Sequence, residues 1–171
     1  MRVFLTGFMG AGKTSVGRAL AVRTGLPFAD LDHEIEARSG RSIREIFEQD
    51  GEPEFRRLER DVLAELLRRP GWERCVVATG GGTVATEPGA RLLRSAGVTV
   101  WLNPPFATIV ERVGALGKAD RPLFRDETQA WELYRRRLDA YRRCDLKVDV
   151  APEESPEEVA GRLHLLLAQR R

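Results

Sequence analysis

Histidine, cysteine and lysine are all scarce in this chain of 171 residues, which holds two, two and three of them. Cys75 and Cys144 have neither C-x-x-C spacing nor a histidine partner. That excludes a zinc ribbon or a disulfide framework and leads us to expect two reduced core thiols in a cytoplasmic protein. No run of 18 apolar residues occurs, so the sequence offers no membrane span, and Met1-Arg2 leading straight into an apolar stretch gives no expectation of a signal peptide. An excess of charge is missing as well: 28 basic residues face 26 acidic ones, for a formal net charge of +2. The arginines are interspersed with acids such as Glu34, Glu36, Glu45 and Glu48, and Arg135-Arg136-Arg137 lies in a helical pattern with no stacking aromatics between its members. Neither nucleic acid nor a membrane surface is therefore expected as a partner. Repeats and low-complexity stretches are absent too. What remains, 42% hydrophobic over residues 1–171, suits one domain with a full core, read as a monomer.

Apolar stretches with the character of buried parallel strands are Val3–Thr6, Pro27–Ala29, Cys75–Ala78, Val98–Leu102 and Leu146–Val150. Helical patterns fill the intervals: Thr14–Thr24, His33–Ser39, Ile43–Gln49, Glu54–Arg69, Pro88–Ser95, Phe106–Val113, Glu127–Arg142 and Pro156 to about Gln169. Ser42 with Glu45 and Ser155 with Glu158 each make a capping box. Five such alternations predict an α/β fold with a parallel sheet covered on both faces. Two stretches interrupt the alternation: a strandless insertion at about 31–60, and a glycine-rich charged segment at about 114–126. On a rigid sheet such insertions build substrate contacts and lids, although the second would also read as a surface loop.

The first strand runs into Gly7-Phe8-Met9-Gly10-Ala11-Gly12-Lys13-Thr14, the G-x-x-x-x-G-K-[S/T] phosphate loop. Gly10, Ala11, Gly12, Lys13, Thr14 and Ser15 would turn their backbone N–H groups and side chains onto a nucleoside triphosphate. Lys13 would lie on the β- and γ-phosphates and Thr14 on Mg²⁺. One of only three lysines stands here, where a compact ammonium suits phosphate better than a planar guanidinium. The second strand ends in Asp30-Leu31-Asp32, at the edge where a parallel sheet opens onto its ligand crevice. Phosphoryl transfer needs one carboxylate for the metal shell and one to orient or deprotonate the attacking hydroxyl. Equally, Asp32 could simply cap a helix starting at His33. Arg56 and Glu59, three apart, could pair on one helical face or belong to a solvated one. Gly80, Gly81 and Gly82 follow the third strand and would let a ligand approach the backbone, or serve as a hinge.

Taken together, Gly-Phe-Met-Gly-Ala-Gly-Lys, Asp-Leu-Asp, Phe-Arg-Arg-x-Glu, Gly-Gly-Gly and Asp-Arg-Pro-Leu, in this order and spacing, resemble the shikimate kinase family from Arg2 to about Val159. The resemblance implies the three-layer P-loop NTPase fold of the nucleoside monophosphate kinases, with strand order 2-3-1-4-5. It also implies transfer of the γ-phosphoryl of ATP, with Mg²⁺, to the 3-hydroxyl of shikimate. By position it makes Asp30 the metal-holding acid and Asp32 the acid that grips shikimate hydroxyls and is the candidate base. Arg56 and Arg137 become the carboxylate clamp, Gly80, Gly81 and Gly82 the backbone donors, and Glu59 the acid that holds Arg56. Arg121 becomes the lid arginine on the transferring phosphate, while Arg112 and Pro156 flank adenine. Where relatives often carry basic residues beside the adenine, this chain has Ala151-Pro152-Glu153-Glu154-Ser155.

Independent of the family, paired acids with paired arginines suit a polyol bearing one anionic group. Asp30 and Asp32 would repel the phosphate acceptor of a nucleoside monophosphate kinase. Gluconate is a closer alternative acceptor, against which the glycine triplet and arginine motifs weigh. A GTPase switch would need a guanine-reading motif and a D-x-x-G element, and Gly117-Lys118-Ala119-Asp120 is only near the former.

Overall fold

The computed structural model describes residues 1–116 and 126–170. Its strands are β1 (Arg2–Thr6), β2 (Phe28–Asp30), β3 (Cys75–Ala78), β4 (Val98–Asn103) and β5 (Leu146–Asp149). They form one parallel sheet in the order β2-β3-β1-β4-β5, as expected. Seven α-helices connect and follow them: α1 (Lys13–Thr24), α2 (Leu31–Ser39), α3 (Ile43–Leu66), α4 (Glu87–Ala96), α5 (Phe106–Leu116), α6 (Glu127–Arg142) and α7 (Pro156–Ala168).

Strand alternation sorts the core into two layers. Val3, Leu5, Val76, Val100 and Leu102 point to one face, where Val16 and Leu20 of α1 and Val159 and Leu163 of α7 cover them. Phe4, Val77 and Trp101 point to the other, into a cluster with side chains from α2 through α6. The central strands are buried on both faces, and that is why they read as continuous apolar runs.

Register then positions the site. Asp30 pairs with Ala78, and Ala78 pairs with Leu5. The loop after β1, the acid closing β2 and the glycines after β3 thus leave the sheet at nearly the same level.

Two local expectations change. The helix after β2 begins at Leu31, and its cap is Asp30, whose Oδ1 accepts from the N–H groups of Asp32 and His33 at 3.1 and 3.4 Å. Asp32 therefore lies in the first helical turn instead of capping it or continuing the strand. The two helices expected over 43–49 and 54–69 are one element, α3, bent at Gly51 (φ 80°, ψ 174°) and ending at Leu66. Gly51 tolerates this dihedral, and Pro53 lacks the N–H that a straight helix would use. Both capping boxes form as expected.

Candidate active site

The C-terminal edge of the sheet holds a cavity of about 1070 Å³ lined by Gly10 through Ser15, Asp30, Asp32, Arg56, Gly80 through Gly82, Arg112, Arg137 and Pro156. Residues expected from 147 positions of sequence thus share one wall system. Arg121 lies outside the described residues.

At the phosphate loop, Gly10 (φ 74°) and Gly12 (φ 91°) take left-handed conformations that a side chain would strain. Gly12 is the N-cap of α1 and makes no side-chain capping bond, and the helix start, with its positive dipole end, lines the cavity. Lys13 Nζ donates to the carbonyls of Gly7 and Phe8, both at 3.0 Å, holding the ammonium against the loop. Arg112 Nη1 donates to the Gly10 carbonyl at 3.4 Å from α5.

The two acids diverge. Asp30 Oδ2 accepts from Thr14 Oγ1 at 2.5 Å, which joins two hard oxygen donors of the expected metal shell. Asp32 sits beside the glycine triplet: its Oδ1 lies 3.4 Å from where a Cβ on Gly80 would stand. One acid is bonded to the phosphate loop and the other lies beside the glycine triplet.

Beyond the acids, two guanidiniums converge. Arg56 comes from α3 and Arg137 from α6. A Cβ on Gly82 would overlap the Arg56 guanidinium and stand 2.9 Å from Arg137 Nη2, while one on Gly81 would stand 3.3 Å from Arg137 Nη1. The triplet is free of side chains, in the first place, so that these two cations can sit over it. The sequence reading expected space for a ligand and missed this, because the arginines arrive from segments distant in the chain.

Arg56 and Glu59 form the expected pair at 2.9 Å, with Glu59 only 1% exposed. The pair is buried, so it is no helix-surface ornament: removing one member would strand a buried charge. Burial disfavours the charged Arg56, but Glu59 and Glu52 outweigh it and raise its pKa above the ordinary value. Arg137 is 7% exposed and, among the described residues, forms no ion pair. Of the Arg135-Arg136-Arg137 run only this member turns inward. Its guanidinium lies 5.9 Å from the Phe8 ring centroid, and Phe8 meets Tyr134 of α6 edge-on at 5.5 Å, so α6 is braced directly on the phosphate loop.

Glu154 of the predicted adenine loop also lines the cavity, held by Arg162 at 2.6 and 2.8 Å. His33 lies in α2 and His164 in α7, and among the described residues neither side chain enters an ion pair.

A phosphate loop with its lysine, a metal-competent Thr–Asp pair and a second, cationic subsite across one cleft define a P-loop phosphotransferase acting on a small acceptor. A shikimate kinase family model matches residues 9–167, and the chain belongs to the shikimate kinase family. It is 42% identical to a shikimate kinase of Ruegeria pomeroyi over 99% of this chain and 86% of that one. The solved structure of a shikimate kinase from Acinetobacter baumannii in complex with shikimate superposes with a TM-score of 0.91 at 34% identity, covering 99% of this chain and 94% of that one. A gluconokinase from Sinorhizobium meliloti, 20% identical with a TM-score of 0.62 over 99% and 96% of the two chains, shares the fold.

Proposed function

We propose that this chain transfers the γ-phosphoryl group of ATP to the 3-hydroxyl of shikimate, with Mg²⁺, as a monomeric cytoplasmic enzyme. The observation that carries the reading is the convergence of Arg56 and Arg137 over Gly82, across the cleft from the phosphate loop. Two buried cations held together repel each other unless an anion bridges them, and a carboxylate fits their forks. Relatives that bear the shikimate kinase name over nearly the whole chain supply the acceptor's identity.

The geometry supports the following division of labour. Backbone N–H groups at the start of α1 hold the β- and γ-phosphates, and Lys13 exchanges its loop carbonyls for phosphate oxygens. Thr14 and Asp30 fit Mg²⁺, which is usually held by one or two protein oxygens together with the substrate's phosphates. When bound, the ion supplies charge neutralisation between the β- and γ-phosphates. Arg56 and Arg137 fix the acceptor's carboxylate, which orients the ring, and the N–H groups of Gly80 to Gly82 line its bed. Asp32 accepts from the ring hydroxyls and takes the proton of the attacking one. Positioning is its larger share, since the loose transition state of phosphoryl transfer demands little early deprotonation. Arg112 and Pro156 flank adenine, and Arg121 meets the transferring phosphate. The insertion at about 31–60 carries the acceptor contacts of Asp32 and Arg56, and the lid is assigned to about 114–126, of which 117–125 lie outside the described residues.

A coupled ATPase assay with shikimate, gluconate and AMP as alternative acceptors tests the reading. Turnover with shikimate alone is expected; turnover with gluconate or AMP instead would replace it.

A further inference from the structure

The arginine pair accounts for the missing side chains of the triplet but not for what fixes its backbone. Two buried hydroxyls do that, one just past the triplet and one at its middle. Thr83, just past the triplet and 1% exposed, places Oγ1 2.6 Å from Glu59 Oε1 and 3.0 Å from the Gly80 carbonyl. Its single proton goes to the carboxylate, the nearer and charged acceptor, while the Gly80 carbonyl accepts from the Thr83 N–H. The other oxygen of Glu59 holds Arg56. Thr83 is thereby linked through one buried carboxylate to the guanidinium of the acceptor subsite. At the middle of the triplet Tyr141, fully buried, donates its hydroxyl to the Gly81 carbonyl at 2.7 Å. Its ring stacks on Trp101 of β4 at 5.7 Å, so the sheet sets where that hydroxyl can be. Burial, opposed in part by Arg137 beside it, pushes the phenol up to about 12, which keeps it a donor throughout the working range.

We infer that Thr83 and Tyr141 are positioning residues for acceptor binding, locking the glycine triplet to Glu59–Arg56 on one side and to the Arg137 helix on the other. Neither lines the cavity. Their effect on the acceptor passes through Arg56, Arg137 and the triplet backbone; the phosphate loop meets this chain of contacts only from outside, at Gly7 beside Gly81 and at Phe8 beside Arg137, and neither hydroxyl bonds to it. The inference rests on the acceptor assignment above, and its test separates the two.

Steady-state constants for shikimate and for ATP are measured on the wild type, Thr83→Val, Thr83→Ser and Tyr141→Phe, alongside each melting temperature. Losing a hydroxyl that serves a buried carboxylate or carbonyl typically weakens the dependent site about tenfold. Thr83→Val and Tyr141→Phe are each expected to raise the KM for shikimate by about tenfold while the KM for ATP stays within about twofold. Thr83→Ser, which keeps the donor, is expected to restore the wild-type value. Shikimate constants within twofold of wild type in both hydroxyl-deleted variants would overturn the inference. So would equal rises for ATP and shikimate, which mark general loosening, or failure of Thr83→Ser to restore. Should Thr83→Val not fold, Tyr141→Phe, which removes a single oxygen, decides by the same criterion. A wild type inactive on shikimate would instead defeat the acceptor assignment, leaving the same comparison to be made with whichever acceptor is turned over.

Discussion

At the residue scale, roles divide by what each polar atom is already bonded to. Lys13 is pre-placed on the loop carbonyls and needs only to exchange partners when phosphate arrives. Lys13→Met is expected to keep the fold and lose about 10²–10⁴ in turnover, the range for removing a key electrostatic donor; a folded variant with near-normal turnover would remove the phosphate-loop assignment. The acids should separate in the same way. Asp30 is engaged with Thr14, Asp32 with the triplet side. Asp32→Asn is therefore expected to leave ATP affinity intact while lowering turnover and shikimate affinity sharply, and Asp30→Asn to weaken ATP–Mg²⁺ binding first. Titration of both ligands onto both variants checks this, and the reverse pattern would exchange the two roles. The acid pair was legible in the sequence as a pair, but not its geometry. Whether Asp30 or Asp32 caps α2 depends on where β2 stops, and a three-residue strand carries too little alternation to say.

At the element scale, what was readable follows from the range of the interactions. Capping boxes at Ser42 and Ser155 involve atoms three residues apart, and both formed where the sequence put them. The five strands were visible because a two-sided burial demands apolar runs. The join of two predicted helices into the bent α3 was not, since Gly51 and Pro53 signal a break without saying whether the axis continues beyond it. Also invisible was the tie between β4 and the entry to β5, where Asp145 Oδ2 accepts from Thr99 N and Oγ1 at 2.8 and 2.7 Å, 46 residues away. Partial burial works against the Asp145 carboxylate, yet the two Thr99 donors prevail and hold it below the usual aspartate range. A depressed folded-state pKa contributes stability above the unfolded value, near 3.9, that is lost as pH falls through the lower folded one. Asp145→Ala is expected to cost about 1 kcal/mol near neutrality after solvent screening. The gap between variant and wild type should narrow in acid, below about pH 4, in paired chemical denaturation curves. A gap independent of pH would assign the loss to packing.

At the scale of the whole molecule, the sheet gathers two cations that would otherwise stay apart. The motifs named both arginines, but only the fold reveals that helices entering from opposite ends of the sequence bring them to one point above Gly82. Arg56 has Glu59 and Glu52 as compensation, whereas Arg137 among the described residues has no ion pair. The unliganded protein therefore holds like charges together in a poorly solvated place, which opposes folding, and an acceptor anion relieves it. Binding that relieves the native state must raise its stability, by about 2.7 kcal/mol at a hundred times the dissociation constant. For a domain of this size that corresponds to roughly 5–10 °C in melting temperature. Shikimate at saturation is expected to produce such a shift. At the same concentration its neutral carboxamide analogue should give less than half of it, because the fork to both guanidiniums is lost. Arg137→Ala should abolish the shikimate shift and retain the shift given by ATP–Mg²⁺, whose contacts lie across the cleft. Equal protection by the acid and the amide would show that the ring hydroxyls, and not the carboxylate, bind the acceptor, and the two arginines would then need another purpose.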